Sequence, residues 1–253
     1  MSTVAPSRAN YWDPAMERGT ASDRFYRGMA VAFLAAVFAG FARTYFLKAW
    51  TGWPAAPAII HMHAALFTGW ILLFFVQTSL IPAGRLEWHR RLGVAAAFVA
   101  AAMVALGLIV MVESARRGFV GVFPLPEGVS QDPVGFSVQA AFDVGLFAAF
   151  LCAGYAFRAR REVHKRLMLL ATISLLPAAI VRIPLPGVTR LVFALLLAIG
   201  FAAAQPLHDR LTRGRIHPVG LWGGALFLVS IPGRILVGQT DAWHAFMEWV
   251  LRL

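Results

Sequence analysis

The sequence predicts an all-α, polytopic transmembrane bundle of about seven spans, and three observations carry that prediction. The 253 residues are 59% hydrophobic and only 14% charged, where a soluble domain carries about 25% charged residues. The apolar residues fall in long runs, near 26–46, 59–82, 91–112, 136–157, 166–182, 188–207 and 217–238. Each run is close to the ~20 residues that cross a hydrocarbon core of roughly 30 Å. The runs are also continuous rather than alternating. Lipid admits only helices and closed barrels, because every backbone polar group must be satisfied internally, and continuous runs select helices.

Along the chain, residues 1–24 form a polar tail expected in the cytoplasm, with no apolar stretch of the signal-peptide kind before the first run. The first run is therefore expected to be an uncleaved anchor. Residues 25–239 carry the seven spans. Most connections are short, so sequential helices are expected to be antiparallel neighbours. The longest connection, about 113–135, holds Pro124, Pro126 and Pro133 and is expected to cap the bundle from outside. Gly220, Gly223 and Gly224 permit close helix approach in the last run. Residues 240–253 are too short to span. Trp243, Phe246, Trp249, Val250 and Leu253 share one helical face there, and Asp241 is the expected N-cap of an amphipathic helix on the outer surface or over the bundle end.

The net charge of +11 does not require nucleic acid, because the basic residues alternate between loops. With the N-terminus inside, 15 of the 23 Lys and Arg fall on the inner side and 8 on the outer. That asymmetry favours a cytoplasmic N-terminus and an outer C-terminus in a bacterial inner membrane. Trp50, Trp53, Trp243 and Trp249 then fall at the outer interface, and Trp12, Trp88 and Trp222 at the inner one. The lone cysteine, Cys152, permits no internal disulfide.

Inside a span, an ionisable side chain is the informative exception. Asp143 is the one acidic residue well within a run, roughly 12 Å along its helix from the outer end at 1.5 Å per residue, with Gln139 one turn earlier on the same face. His63, Trp70 and Gln77 recur every seven residues and share a face of the second span. Arg43, Arg182 and Arg234 sit at similar outer depth. Together these residues suggest a polar pocket open to the outer side, for an anionic head group, a quinone or a proton-coupled solute. Against it stands simple pairing of Asp143 with Arg182 or Arg234 to fix helix packing, snorkelling of each arginine to the head groups, and interhelical bonding by Gln77, Gln139 and Gln205.

The histidines raise metal and haem. His61-Met62-His63 combines imidazole and thioether, which suit copper, with His244 and Met247 on the same side. His61 and His63, two residues apart, cannot point the same way from a regular helix. His89 and His164 match in depth and side as a haem b pair, although a histidine among arginines at a helix start is also an ordinary interfacial cap. His89, His164 and His217 each open a span, and Pro177 with Arg182 and Pro232 with Arg234 follow near the far ends of two of them. His208 and His217 read as solvated loop residues. There is no Gly-rich phosphate loop, H-E-x-x-H, G-x-S-x-G or CxxC, so no catalytic residue is assigned and the reading leans away from an enzyme.

The stretch His61-Met62-His63, Trp70, Gln77, Arg85 and His89-Arg90-Arg91-Leu92-Gly93 resembles the core of an uncharacterised family of bacterial multi-pass membrane proteins. His164-Lys165-Arg166-Leu167-Met168, Pro177, Arg182 and His217-Pro218 to Arg234 are similar to its second half. The resemblance covers roughly residues 40–250 and implies no activity. It marks His63, Trp70, Gln77, His89, His164, Arg182 and Arg234 as pattern positions. The expected function is a ligand-binding or redox-accessory membrane protein with a quinone, haem or lipid-like ligand. The alternatives are a proton-coupled transporter and a structural subunit of a larger membrane complex. The lipid bilayer is the expected partner, with other membrane subunits possible and no nucleic acid.

Overall fold

The computed structural model describes residues 14–52, 55–119 and 132–253, with side chains from residue 21 onward. Residues 120–131 of the expected cap at 113–135, and residues 1–13 of the expected tail at 1–24, lie outside the described residues, as do Trp12 and Trp53. The helices are α1 (Pro14–Phe41), prolonged by a π-helical turn (Ala42–Phe46), α2 (Lys48–Thr51), α3 (Ala58–Leu80), α4 (Leu86–Arg116), α5 (Pro133–Ala156), α6 (Arg161–Ser174), α7 (Pro177–Ile180), α8 (Gly187–Arg213), α9 (Pro218–Gly238) and α10 (Asp241–Arg252). No strand occurs among the described residues. Seven spans are long and apolar enough to cross a membrane: α1 with its π turn, α3, α4, α5, α6 with α7, α8 and α9.

The packing explains why one of these spans is not like the others. α1, α3, α4, α5, α9 and α8 contact each other in that circular order, and α6–α7 fills the middle. The central span is 61% buried, against 17–33% for the other six. Its side chains Leu169, Leu170, Ile173 and Leu176 form the hub of the core with Phe33, Phe74, Phe147 and Phe227 from the ring. The outward faces of α4, α8 and α9 leave large apolar residues exposed, such as Phe98, Val188, Leu196 and Val229. That is the surface a lipid-facing helix requires.

The single run expected at 166–182 is broken. Proline has no N–H to donate and clashes with the preceding turn. Ahead of Pro177 the chain tightens instead, with Leu175 N–H donating to Thr172 O at 3.2 Å and Leu176 N–H to Ile173 O at 3.0 Å. Irregular backbone at membrane depth is tolerated only inside protein, and Ser174 and Leu176 are buried. α1 passes this segment so closely that a Cβ at Gly40 would stand 2.0 Å from Ala179 O.

The caps follow ordinary chemistry, with one correction. Asp132 caps α5 by accepting from Gly135 N–H at 2.8 Å, with Pro133 at the first helical position. α10 forms where expected, but its N-cap is Thr240, whose Oγ1 accepts from Trp243 N–H at 3.2 Å. Asp241 sits in the first turn. α10 seats Met247, Trp243 and Leu251 against Met111, Ala115 and Val134 and leaves Phe246, Trp249 and Leu253 exposed. It thus both closes one end of the bundle and presents an apolar edge.

Candidate functional site

Two polar clusters lie at opposite ends of the bundle. One gathers the starts of α4, α6 and α9 with the end of α8. It will be called the His164 end, and the other the Arg182 end.

At the Arg182 end, Asp143 of α5 meets Arg234 of α9. Arg234 Nη1 donates to Asp143 Oδ1 at 2.6 Å, and Nη2 to Ser230 Oγ at 3.1 Å. Arg234 is 3% exposed, and its guanidinium lies 5.6 Å from the centre of the Phe142 ring. α9 can approach α5 here because both carry glycine at the contact: a Cβ at Gly238 would lie 2.6 Å from Gly135 O.

Arg182 follows α7 and is the second guanidinium in this region. It donates from Nη1 to Ala178 O, one turn back, and lies 5.1 Å over the Phe41 ring. It lies in the neighbourhood of both Asp143 and His63, yet it forms no ion pair with a described carboxylate. His63 of α3 stacks on Phe67 at 4.0 Å, and its buried Nδ1 has no hydrogen-bond partner among the described residues. Gln139 is half-buried one turn from Asp143.

The structure joins Asp143 to Arg234 directly, with Arg182 and His63 in the same region, and it places other members of the expected pocket elsewhere. Arg43 is exposed, and its carbonyl accepts from Thr51 Oγ1 at 2.7 Å. Trp70 is core: 2% exposed, donating Nε1–H to Thr172 Oγ1 at 3.3 Å and set edge-on to Phe147. Gln77 shares a face with His63, but two heptads of helix carry it to the His164 end, where its amide lies beside Gly93. The copper triplet does not converge. His61 pairs with Tyr45 Oη at 2.9 Å, Met62 is exposed, His244 is bonded to Asp132 and Met247 is fully buried elsewhere. Among the described residues no group of three His, Cys, Asp or Glu is arranged to hold a metal ion.

At the His164 end sits a network that sequence reasoning missed. Arg166 of α6 grips Asp209 of α8 with both arms of its fork, Nε donating to Oδ2 at 3.0 Å and Nη2 to Oδ1. Their side chains are 1% and 0% exposed. Glu162 accepts from Arg166 at 2.7 Å, Lys165 at 2.8 Å and Arg213 at 2.6 Å. Lys165 also donates to Ser22 Oγ of α1 at 3.0 Å, and Gln205 Nε2 donates to Tyr26 Oη at 3.0 Å. His217 is not a free loop residue. Its N–H donates to Asp209, and its Nδ1 accepts from Val219 N–H at 3.2 Å as the N-cap of α9. Burial, and then the Arg166 charge, hold this imidazole below its usual pKa, which keeps the capping lone pair free. The signal in the sequence was two complementary i, i+4 pairs at equal depth, Glu162 with Arg166 and Asp209 with Arg213.

The same end brings His89 and His164 together, their ring centroids 6.4 Å apart and their planes at 86°. His164 Nδ1 is bonded to Gly154 O at 2.8 Å, and Tyr155 Oη donates to Gly93 O at 2.6 Å.

Seven apolar spans around a buried central helix, with ionisable clusters inside, define an integral, multi-pass α-helical membrane protein. Compared with known proteins, the chain matches no family model, no curated protein and no solved structure.

Proposed function

We propose that this is a ligand-binding protein of the bacterial inner membrane whose Arg182 end, on the outer side, receives an anionic head group of a lipid-like molecule. The observation that carries the reading is a charge count. Two guanidiniums share one carboxylate, Arg234 takes that carboxylate at 2.6 Å, and Arg182 is left without an ion pair among the described residues. A partly buried cation without an ion pair is costly. A carboxylate or phosphate brought in by a ligand removes the cost and gains charge-assisted hydrogen bonds.

The roles follow from the geometry. Arg182 is the anion clamp. Arg234 and Asp143 hold α9 to α5 and keep the clamp's surroundings fixed. His63, with an unused Nδ1 on the same side, completes the ligand's polar contacts or carries its proton. Asp143 held this tightly by Arg234 speaks against a mobile proton carrier, and so against the transporter reading. The outward assignment rests on the excess of basic residues in the opposite loops.

The test is thermal unfolding in a neutral maltoside, titrated with dioctanoyl phosphatidylglycerol and, separately, with dioctanoyl phosphatidylcholine. The anionic lipid raises the midpoint of the wild type, as expected for a ligand of the folded state, and not that of Arg182→Gln. An equal rise in both proteins, or an equal rise with both lipids, contradicts the proposal.

A further inference from the structure

His89 and His164 have no part in the anion site. They hold equivalent places, the fourth residue of α4 and the fourth of α6. α4 packs mainly against α3 and α5, and α6 against α5 and α9, rather than against each other. Neither ring pairs with a carboxylate among the described residues. A carbonyl oxygen only accepts, so the contact from His164 Nδ1 to Gly154 O puts the proton on Nδ1 and leaves Nε2 as a lone-pair donor. A hydrogen bond of this kind is what orients a ligating histidine. On the facing helix, His89 Nδ1 is buried with no hydrogen-bond partner among the described residues, and Gln77 Oε1, at the adjacent end of α3, is in the same condition.

We propose that His89 and His164 are the two axial ligands of a haem iron seated between α4 and α6. The separation fits. An imidazole nitrogen bonds a transition metal at about 2.0–2.1 Å, which puts each ring centroid about 3.2 Å from the metal and two opposed rings about 6.4 Å apart. The observed distance is 6.4 Å. A tetrahedral ion would draw the rings about 1 Å closer and needs three or four protein ligands. Among the described residues no third His, Cys, Asp or Glu joins the pair. A porphyrin brings its own four equatorial nitrogens, so two imidazoles suffice.

The surroundings suit the rest of the molecule. The porphyrin edge is apolar and its propionates are anionic. The exposed arginines Arg85, Arg90, Arg91, Arg158, Arg160 and Arg161 lie within a turn or so of the two histidines. Arg90 is close enough for its charge to act on His89. The propionates would meet these guanidiniums at the water interface.

The experiment uses the full chain, expressed with added 5-aminolaevulinate and purified in maltoside. The expected result is a Soret band and, on reduction with dithionite, the sharp visible bands of six-coordinate low-spin haem, with haem and chain in equal amounts. His89→Ala and His164→Ala each lose the six-coordinate signature. His89→Met, which offers another axial ligand, retains haem with a shifted spectrum and covers the case in which the alanine variants do not fold. Arg182→Gln leaves the spectrum unchanged, so failure of the anion site and failure of the haem site are separable. Absence of a Soret band even after incubation with haemin overturns the proposal. So does a Soret band that both histidine variants leave intact. Copper or zinc found by elemental analysis without haem, and lost in the histidine variants, overturns the haem and assigns the pair to a bare ion.

Discussion

The two polar clusters use the same residue types and end in opposite states. At the His164 end, Arg166, Lys165 and Arg213 share Asp209 and Glu162, each carboxylate takes more than one cationic partner, and α1, α6 and α8 are tied to one another and to the N-cap of α9. In the Asp143 cluster at the Arg182 end, one carboxylate serves one of two guanidiniums, and the His63 Nδ1 is left over. A closed network has no capacity for a ligand, while an incomplete one does. The contrast suggests that the Arg166–Asp209–Glu162 network fixes the bundle, while the Arg182 cluster, like the His89–His164 pair beside that network, keeps polar groups free for something to bind.

The largest expected effect breaks the closed side. Asp209→Ala strands the buried Arg166 fork and should cost roughly 3–5 kcal/mol, read as a lost or strongly lowered unfolding midpoint. An apolar pair, Arg166→Met with Asp209→Leu, should recover much of the loss, since replacing both partners avoids the stranded charge. Next comes Asp143→Ala, which leaves two guanidiniums with no carboxylate and should destabilise by a similar or somewhat smaller amount. Anionic lipid should restore part of that loss, and no anion should rescue Asp209→Ala. Gly40→Ala tests the seam that fixes Arg182: its methyl would meet the Ala179 carbonyl, and overpacking of about 1–3 kcal/mol is expected, with weaker anion response.

The smallest effect concerns α10, which closes the Arg182 end. His244 Nδ1 is bonded to Thr240 O at 3.0 Å and its Nε2 to Asp132 at 2.9 Å. The Thr240 carbonyl, and then the Asp132 carboxylate, raise the pKa of His244 above its usual value. A raised folded-state pKa stabilises fully below the unfolded value of about 6.5 and fades as pH climbs through the raised value. Hydrogen exchange of the α10 amides should therefore quicken modestly with pH, beyond its intrinsic dependence, across that window. His244→Gln should remove the excess.

The spans were legible because a run of apolar residues is a local property. The break at Pro177 was not, because its tolerance depends on the central position of α6–α7, which no local pattern displays. Asp143, Arg182, Arg234 and His63 were legible as ionisable residues at one depth. Arg43 and Gln77 were wrongly added, since depth says nothing of direction and a shared face says nothing of which end a residue reaches. Arg166 and Asp209 were missed for the converse reason. A charge near a helix end reads as a loop charge, and only the fold brings residues 43 positions apart into one buried pair. The match of His89 with His164 was visible because each opens a span at the same helical position.

The most direct measurement compares the removal of one guanidinium at each end, by the unfolding midpoints of Arg166→Gln and Arg182→Gln in neutral maltoside with no added anion. The expected result is that the midpoint of Arg166→Gln falls steeply, while that of Arg182→Gln stays unchanged or rises, because a partly buried charge without an ion pair has been removed. A fall in Arg182→Gln as large as that in Arg166→Gln would contradict it, and would make the Arg182 end a structural cluster like the other.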